Sequence, residues 1–291
     1  MSDDAASVAG VPARLLAPAK LTLSLRITGT RPDGYHQIDA EMVSLDLCDE
    51  LLVTPSATNS VEIVRTSAGA GSERDEGPEP SWNVPTDHTN LVILALELAG
   101  RTAHVRIRKR IPPGAGLGGG SSDAAAVLRW ANRLTAAETA ARHPDATSGP
   151  ARQVVSMRQA ASLGADVAFC LVGGKAQVSG IGEIVEPLPY QQQEFVLMTP
   201  SVHVDTASVY RRWDELGGPA GDHGNDLEPA ALSAYPELVG CRDILAHSMS
   251  RTPRLAGSGG TWFVTAPHPR HRDLPVYEGA QTRFAAAIGR I

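Results

Sequence analysis

Residues 112–128 read PPGAGLGGGSSDAAAVL, and the reading of this stretch decides the fold. Five of the seven positions from Gly114 to Gly120 are glycine, and the chain then runs through two serines into an alanine-rich segment of good helix formers. Immediately upstream, AHVRIRKRI (103–111) alternates apolar with basic residues, as a half-exposed strand does. Strand, bare loop and helix in that order make a cradle for an anion. The unpaired N–H groups of a helix's first turn and its macrodipole act together on negative charge there, and phosphate is the natural guest. Ser121 or Ser122 is expected as the N-cap, with Asp123 in the first turn. A flexible linker is also glycine-rich, but linkers rarely pass from a strand straight into a capped helix.

Three glycine motifs compete for the stretch. A Walker A loop needs Lys just before its Ser or Thr, and here Gly120 holds that place. The dinucleotide fingerprint G-x-G-x-x-G is met formally by Gly114, Gly116 and Gly119, but in mid-chain and with two serines it does not require. Neither GGSSD (119–123) nor AGSGG (256–260) spells the nucleophile elbow G-x-S-x-G.

Composition bounds the partners. With 291 residues, two domains are a better expectation than one. A net charge of −6 and a pI near 5.8 argue against a broad nucleic-acid or anionic-membrane surface, so a polyanionic partner must be small. Cys48, Cys170 and Cys241 are far apart and form no CxxC pair, which suggests neither zinc nor a disulfide framework. The nine histidines do not cluster with metal-ligand spacing, so no protein-built metal site is expected. Asp3 and Asp4 stand where a signal peptide wants positive charge, and no run approaches the roughly 20 apolar residues of a membrane span. A cytoplasmic protein is expected, as a monomer or homodimer.

Along the chain, LLAPAKLTLSLRI (15–27) and IDAEMVSLDLCDELLVT (38–54) read as strands around a Gly/Pro/Asp turn. Residues 66–89 and 141–153 read as solvated loops, and NLVILALELAG (90–100) as a helix closed by glycine. VVSMRQAASLGADVAFCLVGG (154–174) is expected to give a short helix, a turn at Gly164–Asp166 and a buried apolar strand. The second half mixes strands at 194–200, 251–257 and 261–266 with helices at 206–216 and 236–248, leaving GNDLEPAAL (224–232) as a loop. The predicted class is α+β, divided into domains 1–177 and 178–291.

Two charged residues lie in otherwise apolar segments. Lys20 interrupts LLAPAKLTLSL and Asp166 precedes VAFCLV, and neither type is often buried without a partner. A structural ion pair is the plain reading. The chemical one has the carboxylate accept a hydroxyl proton while the ammonium stabilises charge at the reacting oxygen, which beside a bound triphosphate is phosphoryl transfer to an alcohol.

The glycine stretch, together with APAKLTLSLRITGTRPDGYHQID (17–39), LGADVAFCLVGGKAQVSGIGE (163–183), GNDLEPAALSAYPEL (224–238) and LAGSGGTWFV (255–264), resembles the GHMP small-molecule kinases across roughly residues 15–265. The resemblance implies an N-terminal nucleotide-binding α/β domain, a C-terminal ferredoxin-like α+β domain and an active site in the cleft between them. It implies ATP as co-substrate with Mg2+, Asp166 as base on the acceptor hydroxyl and Lys20 assisting at the same oxygen. Gly114, Ala115, Gly116, Leu117, Gly118, Gly119, Gly120, Ser121 and Ser122 match the family's phosphate loop, Lys109 the basic residue before it, and Asn90 an adenine-pocket position. Tyr35 and His36 match residues that hold the cytosine of an acceptor carrying a cytidine diphosphate group. Thr206 and Tyr210 match a polar contact near the reacting end and an aromatic cover for the base.

Two positions depart from the family's usual pattern. Thr22 stands where Asn is usual, in a substrate-binding position, and Ala168 where Pro is usual. An acceptor belonging to another member of the family (homoserine, mevalonate or a sugar) and a non-catalytic nucleotide-binding homologue are the open alternatives.

Overall fold

The computed structural model describes residues 11–64, 82, 84–141, 153–266, 274–277 and 279–290. The expected loops at 66–89 and 141–153 fall largely outside these residues. The first half opens with a long antiparallel hairpin of β1 (Ala13–Thr30) and β2 (His36–Pro55). Its turn is closed by the Arg31 N–H donating to the Tyr35 carbonyl at 2.8 Å, with Gly34 at φ 87°. Then follow β3 (Ser60–Val64), α1 (Leu91–Leu98), β4 (Ala103–Arg108), α2 (Gly119–Ala140), α3 (Met157–Ala161), α4 (Ala165–Val172), β5 (Lys175–Gly180) and β6 (Ile184–Leu188).

β2 organises the first sheet because it is long enough to be shared. One edge carries β1, while the other pairs with β5 through residues 38–43 and with β4 through residues 50–55. β3 joins β4 in parallel and β6 joins β5 in antiparallel register. The alternating apolar residues of β4 place Val105 and Ile107 in a core with Leu96 of α1, Val127 and Leu128 of α2, and Phe169 of α4. The second half runs β7 (Glu194–Pro200), α5 (Thr206–Glu215), α6 (Glu228–Ala234), α7 (Leu238–Met249), β8 (Arg254–Leu255), β9 (Trp262–Thr265) and β10 (Ala280–Ala286). Its sheet is antiparallel in the order β10-β7-β9-β8. Among the described residues, no helix is long and apolar enough to cross a membrane.

Several expectations are corrected. The apolar run at 165–172 is the helix α4, not a strand, because Gly164 and Gly173 bracket an eight-residue run whose Val167, Ala168, Phe169 and Cys170 are buried in packing that includes α2. An unbroken apolar run reads alike in a buried strand and a buried helix. GNDLEPAAL is only partly loop, since α6 begins at Glu228 with a proline in its first turn, where the missing N–H costs nothing. A division at 177/178 cuts β5, which is paired on both sides, and the first sheet continues to Leu188.

The glycine loop is seated from four directions. Its two side-chain-bearing residues, Ala115 and Leu117, are buried with Leu21 and Leu45 of the first sheet and Phe195 and Phe263 of the second. The glycines between and around them, Gly114, Gly116 and Gly118, take φ values of 70°, 74° and 67°, which L side chains rarely adopt. On one side, β1 breaks register between Pro18 and Lys20. This irregularity frees the Lys20 N–H from the ladder to donate to the Leu117 carbonyl at 2.9 Å, while the Ser122 hydroxyl donates to the Pro18 carbonyl at 2.6 Å. Opposite, Gly116 lies backbone to backbone against Gly259, and the Thr261 N–H donates to the Ala115 carbonyl at 3.2 Å. Underneath, the Lys109 ammonium bonds Asp49 and, at 2.8 Å, Asp123, all three being buried.

That buried triad sets one ammonium between two carboxylates. Burial alone would lower the Lys109 pKa, but Asp123 and Asp49 outweigh it and hold it raised. Burial pushes the Asp123 carboxyl from 3.8 up to about 7 against the pull of Lys109, with Asp49 adding to the rise. Between those values the native state keeps a proton that the unfolded chain has released, so this group favours folding less as pH rises through the window. Urea unfolding from pH 4 to pH 7 should therefore show a smaller loss of stability with rising pH in Asp123→Asn than in the wild type. Lys109→Met, which leaves the fully buried Asp49 carboxylate without its cation, should cost about 3–5 kcal/mol in the same measurement at pH 7. Gly259→Ala puts a Cβ 2.2 Å from the Gly116 Cα and should cost about 1–3 kcal/mol. Gly289→Ala meets nothing within 4 Å and should stay within about 0.5 kcal/mol of wild type.

Candidate active site

A cleft of about 280 Å³ opens between β1 and β2 of the first sheet, the starts of α2 and α4, α5 and the turn between β8 and β9. Lys20 from β1, Ser121 from α2 and Asp166 from α4 all line it, as do Thr22, His36, Thr206, Tyr210, Gly257 and Ser258. The Lys20 ammonium stands 3.2 Å from Asp166 Oδ2 and donates to the Thr22 hydroxyl at 3.1 Å. Lys20 is 7% exposed and Asp166 30%, so the carboxylate is the wetter partner and faces the cleft. Asp166 sits in the first turn of α4, where the helix dipole favours a negative charge. The Lys20 side chain lies across Gly118, where a Cβ would come within 2.7 Å of Lys20 Cγ, so glycine at 118 makes room for the lysine.

The start of α2 faces the same space. Gly118 is its N-cap in left-handed conformation, and no side chain caps the helix. The first-turn N–H groups have no intrahelical acceptors and remain available to an anion. Neither serine caps the helix: Ser122 donates away to Pro18, and Ser121 lines the cleft. Asp123 lies beyond the first turn, buried against Lys109. Lys109, matched in sequence to the basic residue before the phosphate loop, lies beneath that loop with its ammonium on Asp49 and Asp123. Ala115 and Leu117 turn their side chains into the core, leaving only backbone for a ligand. Asn90 caps α1, its side chain accepting from the Val92 N–H at 2.9 Å and donating to the Pro85 carbonyl at 2.6 Å.

At the other end of the cleft His36 stacks on Tyr210, ring centres 5.0 Å apart, with Trp213 edge-on at 5.4 Å. Burial, reinforced by Asp166, pushes the Tyr210 phenol up to about 12, so it stays a neutral hydrogen-bonding group. Thr206 shares a 2.9 Å hydrogen bond with Ser258. Tyr35, expected beside His36, instead projects at 60% exposure from the hairpin turn and does not line the cleft. Tyr35 still belongs to the turn, whereas His36 is the first residue of β2, paired with Thr30 and turned toward α5. Thr22 is buried beside Lys20, and Ala168 is buried within α4. Cys170, close to Asp166, is no nucleophile, because burial pushes its thiol up to about 12.

Sequence reading missed Asp49, Trp213 and Asp214, and gave no individual role to Gly257 and Ser258 of the LAGSGGTWFV segment. Asp49 sits in a polar-looking strand segment, and only the fold shows that it is fully buried under the loop. Gly257, at φ 64°, puts its backbone close to the Thr22 hydroxyl and the Lys20 ammonium. Asn225 of the GND segment fixes it there, donating to the carbonyls of Gly257 at 2.7 Å and Leu255 at 2.9 Å.

Comparison with known proteins identifies the family. The family model for the GHMP kinases N terminal domain matches residues 88–174. The 4-diphosphocytidyl-2-C-methyl-D-erythritol kinase of Geobacillus sp. (strain WCH70) is 32% identical, covering 87% of each chain. The enzyme of that name from Burkholderia mallei (strain SAVP1) is 34% identical, over 86% of this chain and 84% of its own. A crystal structure of 4-(cytidine 5'-diphospho)-2C-methyl-D-erythritol kinase superposes with a TM-score of 0.61 at 28% identity, covering 95% of this chain and 100% of that one. A homoserine kinase from Cytophaga hutchinsonii shares the fold, with a TM-score of 0.56 at 16% identity over 98% of this chain and 96% of its own. Shared architecture and the extended sequence identity lead to one conclusion: the chain belongs to the GHMP kinase family and is an ATP-dependent small-molecule kinase.

Proposed function

We propose that this kinase transfers the γ-phosphoryl group of ATP to the 2-hydroxyl of 4-diphosphocytidyl-2-C-methyl-D-erythritol, in non-mevalonate isoprenoid precursor synthesis in the cytoplasm. The observation that carries the reading is the Lys20–Asp166 pair, 3.2 Å apart, in the cleft that also receives the uncapped start of α2. The glycine-loop amides hold the triphosphate, and the acceptor lies along the cleft with its base toward His36 and Tyr210. Asp166 takes the proton of the attacking hydroxyl as the new O–P bond forms and the bond to the β-phosphate oxygen breaks, releasing ADP. Lys20 places positive charge beside the same oxygen, and Thr22 orients its ammonium. Catalysis of this kind is mostly positioning plus electrostatics.

Magnesium accompanies ATP phosphates and neutralises part of their charge. Among the described residues no group of three or more His, Cys, Asp or Glu could hold a metal ion. That suits Mg2+, which keeps several waters and takes its other oxygens from phosphates. The Ser121 hydroxyl, at the start of α2, is the cleft oxygen that would contribute, which leaves Asp166 to act as base. Support for the acceptor comes from the relatives' names and from the aromatic end of the cleft. We divide the chain between Leu188 and Glu194, giving nucleotide binding to the first sheet and its helices.

Asp166→Asn should lower kcat by roughly 10²- to 10⁴-fold while leaving ATP binding by calorimetry near the wild-type value. An undiminished kcat would remove Asp166 from the chemistry. Assayed with ATP and Mg2+, the protein should phosphorylate the diphosphocytidyl alcohol in preference to homoserine and mevalonate. Turnover confined to either of those would transfer the assignment to another branch of the family.

A further inference from the structure

His36 is held on three sides. Tyr210 covers one face at 5.0 Å, Trp213 meets the ring edge-on at 5.4 Å, and Asp214 Oδ1 lies 2.8 Å from Nε2. Trp213 is itself fixed, its indole N–H donating to the Pro219 carbonyl at 2.9 Å. All three partners come from α5, so this one helix sets the pose of the imidazole. The His36 side chain is 10% exposed, whereas that of Asp214 is 54% exposed, so the carboxylate reaches the ring from the solvent side.

A carboxylate only accepts, so the nitrogen it meets must carry the hydrogen. Nε2 is therefore N–H, and in the neutral ring Nδ1 is bare. Among the described residues Nδ1 meets no hydrogen-bonding group, which leaves it as an acceptor on a residue that lines the cleft. We infer that Asp214 is a specificity-determining residue acting through His36: it fixes the Nε2–H tautomer, so that Nδ1 accepts a hydrogen bond from the exocyclic amine of a cytosine and opposes the carbonyl that uracil carries at the same position. The inference rests on the cytidine-bearing acceptor proposed above. It adds a cause for base selection that needs no contact between Asp214 and the base.

An acceptor facing an acceptor leaves two buried polar groups unpaired, at a cost that corresponds to about ten-fold or more in affinity. The wild-type protein should therefore prefer the cytidine diphosphate acceptor over its uridine analogue in kcat/KM by at least about that factor. Asp214→Ala should lose most of the preference through a higher KM for the cytidine acceptor, with the KM for ATP unmoved. Asp214→Glu, which restores the carboxylate, should recover it. Separately, 15N NMR of histidine-labelled protein, with the His36 signals identified by their loss in His36→Gln, should show Nε2 protonated and Nδ1 bare in the wild type, and a mixture in Asp214→Ala. Protonated Nδ1 in the wild type, in either the other tautomer or the imidazolium, overturns the inference. So does a cytidine preference that survives intact in Asp214→Ala. The NMR result needs no substrate, so it separates the two readings: inactivity of the wild type on both acceptors removes the acceptor assignment, and base selection with it, even where the tautomer is as stated.

Discussion

One backbone hydrogen bond, from the Lys20 N–H to the Leu117 carbonyl, ties the strand that carries Lys20 to the glycine loop. It exists because β1 slips register at Pro18, a residue with no N–H to give the ladder. The same slip hands the Pro18 carbonyl to Ser122. Two consecutive turns of the phosphate segment are thus registered against one irregular stretch of strand. A bare glycine loop loses more conformational entropy on ordering than any other segment, and its shape must come from neighbours. Here Ala115 and Leu117 act as plugs in the core between the sheets, and Gly116 rests on Gly259. The glycines provide the dihedral angles while the plugs provide the order.

The two lysines near the loop divide the electrostatic labour by depth. Lys109 is enclosed with two carboxylates, and its charge is spent on holding Asp49 and Asp123 beneath the first turns of α2. An ion cluster this deep gains little over apolar packing of the same shape, but its loss of one member is costly, so it fixes geometry more than it adds stability. Lys20 is as buried along its stem, yet its ammonium ends beside a carboxylate that solvent and substrate can reach. Only the second arrangement leaves a charge free to respond to a reacting group.

Periodicity and turn chemistry made the hairpin, α1, β4, β7, α5 and α7 legible in the sequence, as they did the loop between strand and helix. The pairing of Lys20 with Asp166 was legible for a different reason: charged residues inside apolar runs need partners. What escaped was set by tertiary context. The run VAFCLV carries no period, so only its packing, which includes α2, makes it helical. Tyr35 and His36 are adjacent in sequence and were read as one recognition unit, but the turn ends between them, leaving Tyr35 exposed while His36 starts β2 and lines the cleft. The buried bond between Lys109 and Asp49 was not legible, because Asp49 stands sixty residues earlier and gives no sign in sequence of lying beneath the loop. Asp214 is hidden by a similar separation, since its partner His36 stands 178 positions away.

The central claim is that loop amides, Lys20 and Asp166 serve one reaction centre. A crystal structure of the protein with a non-hydrolysable ATP analogue, Mg2+ and the diphosphocytidyl alcohol measures it directly. The expected result is a terminal phosphate on the N–H groups at the start of α2, with the acceptor hydroxyl between it and the Asp166 carboxylate. A triphosphate bound away from residues 114–122, or a hydroxyl out of reach of Asp166, would contradict the account.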